Sequence, residues 1–446
     1  MDFYITGIDN KYYLKFARNI YKFKERELSI KNVGYMIISL YNYYTIILLK
    51  NKNLRKRGGI VFLNALNSLS TPLFNFFLAA LIISKLSLGF WGEFVSLTLI
   101  VNLSSMLLSW GNKEYLLREF SRNPSGITEN WLASLLQRFI LCVALSAFFF
   151  LFFHYSYYRT SYLIFWIIGL FLYKSLEVFI LFKRAFLFSL IIEIAGFILL
   201  IAVAFFYPVR EFNIDFFVLL FGIITILKLI AGVIYFRHDI FKQTKSTLVY
   251  LKQNSLLLSL LYFLPGFIGL LQGKIDLYCT AYFLSSDQVA KYQVFMNLLT
   301  IPHIMVTFIT LPFIKNVYRL PLRSVKEIIN MLSIAGLVVS LPAVIITYFI
   351  VENYYHIHLS LFMYIIAYVQ LIPFFIYTLR INMLFKYDKQ YVVTWITLIT
   401  GLLGFLLSII LIPYWNIEGA ISANTIIQWI TLLFFMYSDR YSRTNE

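Results

Sequence analysis

Apolar stretches of about twenty residues recur from Gly58 to Tyr437, separated by short polar loops. A helix needs roughly 20 such residues to cross a hydrocarbon core of about 30 Å. Twelve spans are predicted, near 60–84, 90–109, 132–153, 161–182, 185–207, 214–236, 254–281, 289–314, 328–350, 360–382, 391–412 and 417–437. Continuous runs such as Phe139 to Phe153 and Ile191 to Phe206 exclude a transmembrane β-barrel, whose strands alternate apolar and polar over about ten residues.

Polar residues inside these spans fall into stripes. In the first span Asn64, Asn67 with Ser68, Thr71 and Asn75 recur at three- and four-residue steps, which places them on one helix face. Thr98, Asn102, Ser105 and Ser109 repeat the pattern in the second span. The seventh carries Ser255, Ser259, Tyr262, Gly266, Gly269, Gly273, Asp276 and Thr280, and the eighth Gln293, Asn297, Thr300, His303, Thr307 and Thr310. Spans three to six have no stripe as long. Small and polar residues also join membrane helices by close packing, so one stripe alone reads as helix glue. Stripes on spans 1, 2, 7 and 8 occupy corresponding positions in two six-span halves, where they would line the cleft between them. The expected fold is therefore an all-α polytopic membrane protein, with about 12 transmembrane helices in two pseudo-symmetric six-helix lobes around a central cavity. Pro265, Pro302 and Pro312 place candidate kinks in the seventh and eighth spans.

Charge orients this arrangement. Lys50, Lys52, Arg55, Lys56 and Arg57 precede the first span; every second loop then carries Lys113, Arg118, Arg122; Lys183, Arg184; Arg237, Lys242, Lys245, Lys252; Lys315, Arg319, Arg323, Lys326; Arg380, Lys386, Lys389; and Arg440, Arg443. The alternate loops hold only Lys85, Arg159, Arg210 and Lys291. Loops rich in Lys and Arg stay cytoplasmic, so 23 against 4 expects both termini inside. The expected organisation is a basic N-terminal arm (1–57), an N-lobe (58–236), a cytoplasmic linker (237–253), a C-lobe (254–437) and a cytoplasmic tail (438–446). Val33 to Leu49, uncharged and rich in Tyr, reads as a surface-lying helix, with an extra span or sequence upstream of the true start as the other readings.

Composition narrows the function classes. At 60% hydrophobic residues and a mean hydropathy of +0.78, the chain has little polar surface for water, and its net charge of +17 addresses anionic headgroups before nucleic acid. Cys142 and Cys279 both lie in apolar segments and give no disulfide framework. His356 and His358, with Glu352 nearby, are too few for a metal site. No metal or resident cofactor is expected, and loops of about ten residues or fewer on the sparsely charged side leave no room for a catalytic domain.

Ionisable residues within the spans are expensive, about 2.5 to 3.5 kcal/mol each on insertion scales, and so are functional candidates. Arg138, Lys174, Lys228 and Lys274 stand against Glu177, Glu193 and Asp276. Near balance favours mutual pairing, with Lys174 and Glu177 matched at i, i+3. The sharper reading is that the cations hold a phosphate-bearing substrate, and that Asp276 or Glu193 carries a coupling Na+ or H+. Candidate substrate-binding residues are thus Asn64, Asn67, Thr71, Asn75, Asn102, Ser105, Arg138, Lys174, Lys228, Lys274, Asn297 and Thr300.

Three short motifs bear on family. Leu88-Gly89-Phe90-Trp91-Gly92-Glu93-Phe94 enters span 2, Asp276-Leu277-Tyr278 with Ser285-Ser286-Asp287-Gln288-Val289-Ala290-Lys291-Tyr292 enters span 8, and Ile412-Pro413-Tyr414-Trp415-Asn416-Ile417-Glu418-Gly419-Ala420 links the last two spans. Over residues 58–437 these resemble the polysaccharide repeat-unit flippases, the O-antigen (Wzx-type) branch of the multidrug/oligosaccharidyl-lipid/polysaccharide exporter superfamily. Ala290 and Asn416 stand where that family has Gly, and its Gly-rich link between spans 5 and 6 is missing around Tyr207-Pro208. The resemblance implies a non-enzymatic flippase in the bacterial cytoplasmic membrane. It would move undecaprenyl-diphosphate-linked oligosaccharides by alternating access for O-antigen, capsule or exopolysaccharide synthesis, beside a polysaccharide polymerase and a chain-length regulator. Its rivals are a multidrug or cation antiporter of the same superfamily and a membrane polysaccharide polymerase or glycosyltransferase.

Overall fold

A computed structural model describes residues 52–122, 126–152, 155–241, 255–310, 322–387 and 389–441. The expectations for Val33–Leu49, most of the linker, Pro312 and the last tail residues fall outside them. The chain divides into units Met1–Phe62 and Leu63–Glu446; the first helix begins in the first unit, and the packing and the site described below concern the second alone.

Among the described residues the regular structure is helical throughout. The N-terminal lobe holds α1 (Lys52–Lys85), α2 (Leu88–Ser109), a short amphipathic α3 (Asn112–Arg122), α4 (Ile127–Phe152), α5 (Tyr157–Ser175) continued by α6 (Glu177–Lys183), α7 (Phe186–Phe206) and α8 (Ile214–Tyr235), with a single turn, α9 (Arg237–Ile240), at its end. The C-terminal lobe holds α10 (Ser255–Phe283), α11 (Ser286–Thr310), α12 (Leu322–Phe349), α13 (Leu361–Lys386) and α14 (Gln390–Tyr441). α14 is a hairpin, reversed at Asn416, whose φ of 52° and ψ of −133° interrupt the helix. Counting its two limbs, and α5 with α6 as one span, each lobe has six. Among the described residues eight helices are long and apolar enough to cross a membrane, α14 among them, and α2 is the least apolar of the eight.

Local chemistry sets the helix ends. Ser87 and Asn213 cap α2 and α8 by accepting from the amides of Phe90 and Phe216, at 3.1 and 2.7 Å. Lys85 caps a different helix from its own: its Nζ donates to the carbonyls of Ala204, Phe205 and Tyr207 at the end of α7, at 2.7, 2.8 and 2.9 Å. The break between α5 and α6 comes at Leu176, where Trp131 Nε1 of α4 donates to the Ser175 carbonyl at 3.0 Å.

The outer surfaces are apolar, with Ile140 71% and Leu151 75% exposed, as lipid contact requires. An aromatic cluster of Phe94, Trp166, Phe217 and Phe221 joins α2 to α5 and α8. The C-terminal lobe is organised by α10 and α13 packed against the α14 hairpin.

Candidate functional site: a polar cavity between the lobes

A cavity of about 140 Å³ lies between the lobes, lined by Asn75 of α1, Trp91 to Asn102 of α2, Gly273 to Leu277 of α10 and Tyr292 to Thr300 of α11. The four helices that line it are the four that carry polar stripes. Its walls are amides and hydroxyls, Asn75, Thr98, Asn102, Gln293, Asn297 and Thr300, beside Trp91, Phe94 and Met296. Thr98 and Thr300 return their hydroxyls to the carbonyls four residues back, at 2.9 and 2.8 Å. The buried Nδ2 of Asn297 has no hydrogen-bond partner among the described residues. Gly269 and Gly273 face open space, so the α10 stripe leaves volume and exposes backbone.

Two ionisable residues line the cavity, Lys274 and Asp276. Asp276 is 4% exposed and fully engaged: its carboxylate accepts from the Tyr292 hydroxyl, from Asn424 Nδ2 at 2.5 Å and from the Leu277 amide at 2.8 Å. Behind Asn424 the chain continues through Gln428, which donates to Asn424 Oδ1 at 3.4 Å and accepts from Tyr377 at 2.7 Å. A buried carboxylate therefore ends a run of neutral donors from α11, α13 and the last limb of α14. Lys274 makes no hydrogen bond or salt bridge among the described residues, and lies within electrostatic range of Asp276 and Lys174.

Of the predicted candidates, the cavity collects Asn75, Asn102, Lys274, Asn297 and Thr300, with Asp276. Others are committed elsewhere. Asn67 accepts a 3.4 Å hydrogen bond from Ser189, which ties α1 to α7, and Thr71 is exposed. Ser105 is wholly buried outside the cavity with an unpartnered hydroxyl. The side chain of Asn64 lies outside the described residues. Lys228 pairs with Glu193 at 2.7 Å, helped by Tyr173, whose hydroxyl donates to the same carboxylate at 3.1 Å. Gly196 lies against that pair: a Cβ there would sit 2.5 Å from Lys228 Cε and push the lysine aside.

The expected Lys174–Glu177 pair does not form. The helix tightens at Leu176 and Glu177 turns to Lys113 of α3, which it meets at 3.8 Å. Lys174 makes no salt bridge among the described residues, with Glu177, Lys113 and Lys274 all within electrostatic range. Arg138 has no carboxylate partner among the described residues. It is 2% exposed, its Nε donates to the Ser134 carbonyl at 3.1 Å, its Nη1 reaches the Leu108 carbonyl at 3.5 Å, and its guanidinium lies 5.3 Å from the Phe171 ring. Leu108 is in the last turn of α2, where the helix dipole favours a cation, so Arg138 braces that helix end rather than facing the cavity. On the sparsely charged side, His358 hydrogen-bonds Glu352 at 2.7 Å, and no group of three metal-ligating side chains occurs among the described residues.

Asn424, Tyr292 and Trp91 were not among the predicted site residues. The signal for Asn424 was the spacing of Asn424, Gln428 and Thr431 along one face of the last span.

No protein-family model matches the chain, and no curated protein matches it by sequence. Solved structures do match its fold. The lipid II flippase MurJ in an inward closed conformation superposes with a TM-score of 0.68, at 14% identity over 84% of this chain and 87% of that one. An inward-facing multidrug resistance MATE family transporter of the MOP superfamily gives 0.57, at 13% identity over 85% and 99%. A MATE in the bent conformation gives 0.50, at 12% identity over 90% and 98%. This chain thus has the two-lobed, multi-pass membrane fold shared by these transporters and the flippase.

Proposed function

We propose that the protein is a flippase that carries undecaprenyl-diphosphate-linked oligosaccharide repeat units across a bacterial cytoplasmic membrane by alternating access, for O-antigen, capsule or exopolysaccharide assembly. One observation carries the reading: an inter-lobe cavity walled largely by neutral amides and hydroxyls, with Lys274 on its wall free of any salt bridge among the described residues and Lys174 within electrostatic range of it. Sugars are recognised by amides and hydroxyls, and a diphosphate by cations in a low-dielectric setting. A cation extruder needs the opposite, an acid free to meet its cargo. Asp276 is buried against Tyr292 and Asn424, shut away from a bulky organic cation though not from a proton or Na+, which favours the flippase over the antiporter.

In this reading the basic loops are cytoplasmic, the cargo is handed to a polysaccharide polymerase and chain-length regulator, and Asp276 is the coupling residue for Na+ or H+. Glu193 is the weaker candidate because Lys228 neutralises it. Lys274→Gln should abolish surface polysaccharide while the protein persists in the membrane. Arg138→Met should leave export per molecule intact and change thermal stability only. Equal export by wild type and Lys274→Gln, measured on isolated polysaccharide and normalised to membrane-inserted protein, would overturn the assignment. Asp276→Asn keeps the size of the side chain while removing its charge and one of its two acceptor oxygens, and should uncouple export from the ion gradient that drives it.

A further inference from the structure

Helix α2 meets the C-terminal lobe at both of its ends, and each meeting point is a Trp-Gly pair. At the sparsely charged face, Trp91 Nε1 donates to Gln293 Oε1 at 2.9 Å, and Gly92 has no room for a side chain: a Cβ there would lie 1.7 Å from the Ser286 carbonyl oxygen. At the basic face, Trp110 stacks on Phe263 with ring centroids 4.5 Å apart and donates to the Leu256 carbonyl at 3.0 Å. Gly111, at φ +66°, would place a Cβ 2.5 Å from the Ser259 carbonyl oxygen. The tryptophans are separated by about 28 Å at 1.5 Å per residue, close to the thickness of a hydrocarbon core.

Between the seams α2 lines the cavity; behind it, the helix is fixed to its own lobe at both ends. Arg159 holds Glu93 of α2 at 2.8 Å and Asp215 of α8 at 2.6 Å. At the other end Arg138 reaches the Leu108 carbonyl at 3.5 Å, and Ser134 hydrogen-bonds Asn112 just beyond the helix. A helix so anchored moves with the N-terminal lobe as one piece. Tilting that lobe lifts one end of α2 from its partner and presses the other end down.

We propose that Trp91-Gly92 and Trp110-Gly111 are the two gate seams of the cavity, carried on this one rigid beam, so that opening either face closes the other. The proposal does not depend on the identity of the cargo. It assigns the gates to backbone-to-backbone contacts that tolerate no side chain, one sealed by a buried tryptophan hydrogen bond and the other by a stacked tryptophan.

The test places a single reporter, Thr98→Cys, in the cavity of a protein carrying Cys142→Ala and Cys279→Ala, and measures its labelling by a membrane-impermeant maleimide in vesicles of each orientation. Gly92→Val should raise labelling from the sparsely charged face about tenfold and lower it from the basic face, and Trp110→Ala should do the reverse. A disulfide between Gly89→Cys and Asp287→Cys should abolish labelling from the sparsely charged face and spare the other; a Cβ at residue 89 would sit 2.8 Å from Asp287 Oδ1. Oxidised and reduced samples of that variant are the same folded protein, so misfolding of Gly92→Val leaves this arm decisive. Unchanged labelling in both the single variants and the disulfide pair overturns the seams as gates. A Gly92→Val/Trp110→Ala double variant labelled from both faces at the rates of the two single variants overturns the common beam.

Discussion

Asn416 occupies a backbone conformation, φ 52° and ψ −133°, that suits glycine and strains a residue with a Cβ. It turns the α14 hairpin so tightly that a Cβ on Gly419 would lie 2.2 Å from the Leu411 carbonyl oxygen. The sequence motif marked this position as an Asn standing where the flippases it resembles carry Gly, and the backbone gives that departure its energetic meaning. Asn416→Gly should therefore raise stability by about 1 kcal/mol, read as an upward shift in thermal unfolding of the purified protein. Gly419→Ala should lower it in the same assay. Residue types were less informative for the buried ions. Arg138, Lys174, Lys228 and Lys274 look alike in the sequence, yet one braces a helix end, one pairs with an acid, and only Lys274 reaches the cavity wall. Those fates depend on what neighbouring helices present, which no one-dimensional spacing encodes.

Helix ends show the same division between local and distant causes. The Ser87 and Asn213 caps follow from residues next to the helix they start, and the span boundaries near them were readable. The break between α5 and α6 was not: no Gly or Pro marks Ser175–Leu176, and Trp131 of another helix takes the freed carbonyl. The end of α7 is likewise set from a distance, because Lys85 supplies the donors that its last carbonyls lack. Hydrogen bonds from a charged donor contribute about 1.5 to 3 kcal/mol. Lys85→Met should cost an amount of that order and speed hydrogen exchange selectively at residues 203–207, as read by mass spectrometry. Uniform acceleration over the whole chain would instead mean that the α7 end is no weaker than the rest.

At the scale of the molecule, the polar stripes located the cavity because four helices carry them and those four converge. Its size was not legible, since the gap between lobes depends on how far the seams have closed. At about 140 Å³ it falls below the roughly 300 to 1,000 Å³ of ordinary small-molecule pockets, so the cargo proposed above would enter only when the lobes part. The charge asymmetry, 23 basic residues against 4, is the ground for expecting the basic face to be cytoplasmic, and two of the four exceptions have structural employment: Lys85 caps α7 and Arg159 bridges Glu93 and Asp215. Their placement opposite the basic loops therefore does not weaken the orientation that the other residues impose. With both native cysteines replaced by Ala, Tyr158→Cys, at the exposed start of α5, should react with an impermeant maleimide in intact cells. Arg237→Cys, in the exposed turn after α8, should react only after the membrane is permeabilised. The reverse pattern would invert the molecule and place the basic seam at Trp110 on the outer side, where cargo delivered from the cytoplasm would meet the Trp91 seam first.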